Sequence, residues 1–569
     1  MPVQNIEIAW ILDALADLSE LDGDNPYRVR AYRTAARTVG QLDEPLHERV
    51  EADADLTRLP GIGKEIAAKI REVVGTGQLG TLDRLSERVP LSLRDLLALP
   101  GVGAKQVRTL HAELAIATLD ELRDALEDGR VESLRGFGAK RVRQLRDAVE
   151  RELSRERRWR LDVAEQLSRP LTDDLRTDHA IEGVYLTGSL RRRCETVGDV
   201  DLVVVSPQPD RAVELIAAHD DIAEPIERDG LGVNARFRSG LGLEAHIVPP
   251  ELTGIAMLHG TGSSGHLTAL RERARSQGLE LRDEGLVRTG DLAAAESEAD
   301  IYEALGLGWV PPELRESWGE VEAAARGDLP DLITVDEIRG DLQTHTTFSD
   351  GEHTLAEMTE AARSRGYAYI AITDHSQRMR VANGLSPERL RDQLAQIDDL
   401  NEDFDDITIL KSCEVDVLED GTLDLPDDVL EELDLVVVSV HSKFDLSRDA
   451  QTERIVRALE HPAVTVLAHP TGRVVNRRDP YDVDVERVVA AAIDSDVWLE
   501  INASPQRLDL KDEHIRLAKG MGARFVVSTD AHRTSELANM RYGVDQARRA
   551  WLTSEDVINT RSIEAWPIR

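Results

Sequence analysis

Three segments in the first third of the chain share one rhythm: apolar residues at helical spacing, a Gly-x-Gly break, then apolar residues at helical spacing again. They are LTRLPGIGKEIAAKI from Leu56, LLALPGVGAKQVRTL from Leu96 and VESLRGFGAKRVRQL from Val131, and each predicts helix, tight turn, helix. Further along, the period shortens to two. Asp199 and Asp201 alternate with Val200 and Leu202, and Glu244 and His246 alternate with Leu243, Ala245 and Ile247, so both stretches predict strands with one apolar and one polar face. Beyond about residue 336 seven short apolar runs, starting at Arg339, Tyr369, Ile407, Leu433, Val464, Val497 and Arg524, alternate with amphipathic helical stretches. That alternation predicts βα units around a parallel sheet.

A chain of 569 residues exceeds one domain several times over, and 41% apolar residues are enough to build packed cores. The formal charge is −38, with only eight Lys among the 69 basic residues. Acid excess, Arg over Lys and few aromatics resemble proteins of salt-saturated cytoplasm, where screening tolerates self-repulsion. Residues 51–160 depart from this, with 21 basic and 19 acidic side chains, so the repeats lie where contact with a polyanion is least opposed. The two cysteines, Cys194 and Cys413, lie far apart and in no CxxC spacing, which excludes a disulfide scaffold or a zinc finger. Nothing approaches a membrane span or a signal peptide, so the expectation is a cytoplasmic protein without membrane contact.

Each candidate site follows from chemistry. The glycines Gly61 and Gly63, Gly101 and Gly103, and Gly136 and Gly138, with Lys64, Lys105 and Lys140 close behind, let a backbone approach a phosphate while the amides of the following helix point at it. An ordinary glycine-capped hairpin explains one such copy; three copies favour the phosphate reading. In VYLTGSLRRRCETVGDVDLVVVS from Val184, a Gly-Ser turn and a basic loop precede Asp199 and Asp201, two carboxylates able to share metal ions. Glu244, on a neighbouring strand, is the third carboxylate that two-metal phosphoryl transfer requires. Six of the seven C-terminal runs end on His345, Asp374 with His375, Glu414, His441, His469, and Asp530 with His532. In β/α barrels such strand ends converge on one site.

These motifs resemble known families. The Gly-x-Gly segments resemble helix-hairpin-helix (HhH) modules, NPYRVRAYRTAAR from Asn25 resembles the opening domain of family X DNA polymerases, and GS…GDxD resembles the nucleotidyltransferase palm. TGSSGHLTALR from Thr261 fits the thumb, and the C-terminal ligand set resembles the PHP phosphoesterase domain, whose pattern Asp350 also matches. Nearly the whole chain is thus similar to a bacterial or archaeal family X DNA polymerase with a PHP domain.

The resemblance implies a multidomain α+β and α/β protein. The expected divisions are a helical 5′-phosphate or lyase-like domain at 1–85, HhH fingers at 86–158, a palm at 159–250, a thumb at 251–318, a linker at 319–335 and a distorted (β/α)7 PHP barrel at 336–569. Asp199, Asp201 and Glu244 would be catalytic and hold Mg2+ or Mn2+. Gly188, Ser189, Arg192, Thr261 and Gly262 would hold the nucleotide. His345, Asp350, His375, Glu414, His441, His469, Asp530 and His532 would hold two or three Zn2+, Mn2+ or Fe2+ ions, with Arg473 adding positive charge. Lys69 matches the family's Schiff-base lysine, or is simply a solvated or phosphate-pairing lysine.

The implied activity is gap-filling synthesis on gapped or nicked duplex DNA from deoxynucleoside triphosphates. It would be coupled to hydrolysis of DNA ends or abasic sites, with a DNA ligase and an AP endonuclease as partners. Five positions depart from the family: Glu244 replaces an Asp, His246 a basic residue, His259-Gly260 a Tyr-Phe pair, and Gln343 the first His of a His-x-His. They keep open an alternative in which the palm is weak or inactive and the protein acts chiefly as a nuclease or phosphatase.

Overall fold

The computed structural model describes residues 5–40, 42, 46–86, 88–99, 102–134, 137–154, 158–229, 232–288, 291–294 and 296–566. The chain divides into two units, Met1–Arg157 and Arg158–Arg569.

The first unit is helical in its described residues. Helices α1 (Asn5–Asp22) and α2 (Pro26–Gly40) open it, and each Gly-x-Gly break leads into a long helix: α3 (Lys64–Thr76), α4 (Ala104–Leu114) and α5 (Ala139–Ser154). The periodic apolar positions form one core, including Leu12, Leu15, Leu56, Ile70, Val107, Leu110 and Val142. Gly61 needs its glycine: φ is +72°, and a Cβ there would lie 2.5 Å from Thr34 Cγ2. Gly63 and Gly103 cap α3 and α4, and Gly138 precedes α5. Gly101 and Gly136 lie outside the described residues, as does the side chain of Lys140.

The second unit opens with a mixed sheet of strands β1 (Gly183–Leu186), β2 (Asp199–Val205), β3 (Ile222–Asp229), β4 (Gly232–Phe237) and β5 (Gly242–Val248), in the order β1-β2-β5-β4-β3. Strands β2 and β5 run parallel with Asp201 opposite Glu244, which sets both acids on one face of the sheet. Helices Thr253–Thr261 and Ser264–Ser276 and a three-stranded antiparallel sheet over residues 280–294 follow. Residues 319–335, expected as a linker, instead contain the helix Glu320–Arg326, with Val321, Ala324 and Leu332 in the core of the preceding helices. Glu320 is buried because His266, 2.7 Å away, and the backbone N–H groups of Ser317 and Trp318 satisfy it.

All seven C-terminal runs form strands: β6 (Gly340–Thr344), β7 (Tyr369–Ile372), β8 (Thr408–Asp416), β9 (Leu435–Ser439), β10 (Val466–Leu467), β11 (Trp498–Asn502) and β12 (Phe525–Ser528). They lie in sequence order in one parallel sheet, as consecutive βα units dictate. Side chains close the seam between β6 and β12. The buried Asn559 amide donates to Gly340 O at 2.8 Å and Val527 O at 2.7 Å and accepts from Val527 N at 3.0 Å, while Asp341 accepts from Thr529. Among the described residues no helix is long and apolar enough to cross a membrane.

Candidate functional site

Strands β2 and β5 bring ligand atoms of Asp199, Asp201 and Glu244 within 4.8 Å of one another. The loop after β1 closes over them because residue 188 is glycine: φ is +59°, and a Cβ there would fall 1.6 Å from Asp201 Oδ2. Burial, then the charges of Asp199 and Glu244, lift the Asp201 carboxyl to about 7, with Arg192 opposing the rise. Three crowded carboxylates with one forced toward protonation fit a cation site. His246 Nε2 lies 3.2 Å from Glu244 Oε1.

The three arginines of the basic loop are all engaged. Arg191 pairs with Glu298 at 2.6 Å and donates to Thr261 Oγ1 at 2.6 Å. Arg192, the expected phosphate ligand, pairs with Glu316 at 3.0 Å and donates to Thr261 O. Arg193 pairs with Asp545 at 2.7 Å and with Glu165. Thr261 and Gly262 therefore sit against this loop, and a Cβ at Gly262 would lie 3.3 Å from Arg192 Nη1. In the first unit Lys69 Nζ lies 3.6 Å from Glu65 and 3.4 Å from Thr81 Oγ1, largely buried.

The barrel gathers the second set around Glu414, whose carboxylate is wholly buried and meets four imidazoles: His375 at 3.1 Å, His345 at 3.5 Å, His441 at 3.3 Å and His469 at 2.9 Å. Asp530 reaches His345 at 3.2 Å, and Asp350 lies 3.6 Å from His375 and 3.5 Å from His532. Three overlapping groups result: His345, Asp350, His375 and His532; His375, Glu414 and His441; and His345, Glu414 and Asp530. His345 stacks on His532 at 4.2 Å and lies 4.6 Å from His375. Both ring nitrogens of His345, Nδ1 of His375 and Oε2 of Glu414 are buried and, despite these short separations, none forms a well-directed hydrogen bond among the described residues. Buried polar atoms are otherwise paired, so lone pairs converging from imidazole and carboxylate fit metal ions.

The electrostatics agree with this crowding. Burial alone would lower His441, but Glu414 and Asp416 raise it to about 9. Burial likewise works against His532, which Asp350 and Asp530 lift to about 10. Burial would raise Asp350, but His532 and His375 hold it at about 2.

Two expectations change. Asp374 is no part of the cluster: it accepts from Thr346, Ser349 and Gln393 and fixes the loop that carries Asp350. Arg473 pairs with Glu195, at 2.6 Å, and donates to Leu508 O, and it contacts none of the cluster residues. Gln343 is buried with both amide atoms unpaired among the described residues and belongs to none of the groups.

Several supporting residues carried no sequence signal. Asp416 Oδ1 lies 3.3 Å from His441 Nδ1. Glu500 accepts from the His469 N–H at 2.6 Å and from Ser528 Oγ at 2.9 Å, and burial followed by Asp530 pushes its carboxyl well up. Arg507 approaches Asp530 at 3.3 Å. A buried acid inside an apolar strand reads as core until the fold shows what it faces.

Comparison with known proteins agrees with this architecture. Family models match as "Helix-hairpin-helix domain" at residues 3–79, "SAM-like Helix-hairpin-helix tandem" at 93–151, "DNA polymerase beta thumb" at 256–316 and "PHP domain" at 341–504. The chain is 37% identical over 562 residues to the DNA polymerase/3'-5' exonuclease PolX of Bacillus subtilis (strain 168), covering 98% of both chains. It is 24% identical over 347 residues to DNA polymerase lambda of Rattus norvegicus, covering 55% of this chain and 56% of that one. It is also 30% identical over 232 residues to a probable phosphatase of Thermoanaerobacter sp. (strain X514), covering 38% of this chain and 90% of that one. The chain belongs to the family of the Bacillus subtilis PolX, the family X DNA polymerases that carry helix-hairpin-helix modules and a C-terminal PHP domain.

Proposed function

We propose that the chain is a DNA repair enzyme with two metal-dependent centres, one for template-directed nucleotidyl transfer and one for hydrolysis of DNA ends. The observation that carries this reading is that one chain builds two separate ligand clusters, three carboxylates on the palm-like sheet and the Glu414 cluster in the barrel. Residues 1–85 and 86–158 bind duplex DNA at gaps, nicks and abasic sites through their hairpins, 159–250 and 251–318 hold the nucleotide and primer, and 336–569 hydrolyse. Deoxynucleoside triphosphates are the substrates, and a ligase and an AP endonuclease act in the same repair. The acidity and Arg excess fit work at high salt in a cytoplasm.

Divalent cations, Mg2+ or Mn2+ on the sheet and Mn2+, Zn2+ or Fe2+ in the barrel, would be held by the two clusters and supply charge neutralisation and acidification of the attacking oxygen. On the sheet, Asp199, Asp201 and Glu244 hold the reacting groups together, and the Gly188-Ser189 turn offers amides to the triphosphate. Arg192 exchanges Glu316 for a phosphate, leaving Arg191 and Arg193 to fix the loop. In the barrel, a water oxygen bonds to phosphorus at the last linkage and the bond from phosphorus to the preceding O3′ breaks. O3′ takes up a proton, and the terminal nucleotide leaves as its 5′-monophosphate.

A second reading makes the palm weak and the barrel dominant, and the contact of His246 with Glu244 favours it. A 5′-labelled primer on gapped duplex, incubated with Mn2+, four deoxynucleotides and molar KCl, separates the two. Under the main reading the primer lengthens, Asp201→Ala abolishes lengthening by at least about 10^3-fold and His345→Ala spares it. Shortening alone, lost in His345→Ala and converted to lengthening by Glu244→Asp, would establish the second.

A further inference from the structure

Acidic residues outnumber basic ones 107 to 69, so a guanidinium that meets another guanidinium instead of a carboxylate needs a reason. At the rim of the barrel cluster Arg478 does so, beside Arg507. Arg507 approaches the ligand Asp530 at 3.3 Å and is 22% exposed. Arg478, on a loop bonded to that of Arg507, has no carboxylate within 4.0 Å among the described residues. Burial, then the neighbouring charge of Arg507, depresses the Arg478 pKa. Of the other arginines nearby, Arg473 is occupied by Glu195 and Leu508 O, and Arg454 by the carbonyls of Val417, Leu418 and Ser442.

Arg478 is also held in place. Its Cζ lies 4.2 Å from the ring centre of Phe444, which stacks on Tyr481 at 6.0 Å. Its Nε donates to Gly472 O at 2.9 Å, leaving both Nη groups without a protein acceptor among the described residues. Gly472 permits this approach, since φ is +60° and a Cβ there would lie 2.5 Å from Tyr481. Backbone bonds between Val474 and Arg478, and from Val475 N to Gln506 O at 2.8 Å, tie the two arginine loops together. Two like charges carried on loops bonded together repel one another until an anion is shared between them.

We propose that Arg507 and Arg478 are a two-phosphate clamp: Arg507 takes the scissile phosphate and Arg478 takes the next phosphate on the 5′ side of the strand. This rests on the reading of the barrel as a hydrolase of DNA ends and adds its specificity. A free phosphomonoester or a single nucleotide ester, with no linkage on its 5′ side, reaches only Arg507, whereas a continuing strand engages both. The barrel therefore prefers a phosphodiester within a chain to an isolated phosphate ester.

The test uses the full-length protein with Mn2+ and two substrates, a single-stranded oligonucleotide and the p-nitrophenyl ester of thymidine 5′-monophosphate, which has no neighbouring phosphate. Arg478→Ala is expected to lower kcat/KM on the oligonucleotide about 10- to 100-fold, mostly through KM, as loss of a charge-assisted contact predicts. Ester hydrolysis stays within about twofold, and Arg478→Lys restores most of the oligonucleotide activity. A methylphosphonate at the linkage 5′ to the scissile one should cost the wild type a similar factor and Arg478→Ala almost nothing further. Equal losses on both substrates, or a methylphosphonate penalty of the same size in both proteins, would overturn the clamp. If the wild type hydrolyses the ester but leaves the oligonucleotide intact, the reading of the barrel falls and the clamp falls with it.

Discussion

At Asp201 the demands of folding oppose those of the proposed cation site. Its carboxyl rises from an ordinary 3.8 to about 7 through burial and the neighbouring acids. Without a cation the folded chain therefore binds a proton across that window that the unfolded chain has released. Stability falls as pH climbs from 3.8 toward 7 and stays low above it. Asp201→Asn removes the penalty while destroying the cation site. In EDTA at pH 8 the variant is expected to melt about 2–4 °C above the wild type, with the gap closing as pH is lowered toward 4. Melting curves that keep the same gap at both ends would refute the assignment of the shift to ionised Asp201. Asp199, Asp201 and Glu244 were legible because alternation on two strands aims them to one side. Asp416 and Glu500 were not, because an acid between two valines, or between Leu499 and Ile501, reveals its partner only when strands far apart in sequence become neighbours. Arg478 and Arg507 were hidden for the same reason, lying on two loops that only the barrel brings together.

At the level of elements, seven apolar runs gave all seven barrel strands, since each carries enough β-branched and aliphatic residues to declare itself. What sequence could not supply is how the first and last strands meet. A single parallel bridge joins Thr344 to Ala531 there, and the rest of the seam is held by side chains, Asp341 to Thr529 and Asn559 to both strands. Asn559 follows the last strand by some thirty residues in an irregular tail, where nothing in a periodicity marks it. Replacing it with Ala leaves the Gly340 and Val527 carbonyls and the Val527 N–H buried without their partner. The expected cost is about 3 kcal/mol, read as a lower urea midpoint for the second unit at an unchanged slope. A variant as stable as the wild type would mean the seam is held by the sheet alone. Residues 319–335 show the complementary case: their acids suggest solvent, but Glu320 finds His266 and two backbone N–H groups.

On the scale of the whole molecule, charge is divided unevenly. Residues 51–160 carry a net +2, so the remaining 459 residues carry −40, and only eight lysines are present in the chain. Binding to DNA then depends on two salt effects of opposite sign. Each phosphate neutralised by a cationic side chain releases counterions and weakens binding as salt rises, with a slope of about −0.9 per contact. On the proposed reading, however, the hairpins hold phosphate largely through uncharged backbone amides at turns such as Gly61–Gly63, with Lys64, Lys105 and Lys140 adding about three such contacts. Screening of the acidic remainder acts the other way, since the Debye length falls from about 10 Å at 0.1 M to about 3 Å at 1 M and relieves repulsion of the DNA. The sum is a shallow dependence: between 0.2 and 2 M KCl, log affinity for gapped duplex against log salt should have a slope no steeper than about −3. Fluorescence anisotropy measures it directly. A slope near −6 or steeper would mean that arginines outside the hairpins carry the DNA, and that the acidity does nothing to fit the chain for binding in concentrated salt.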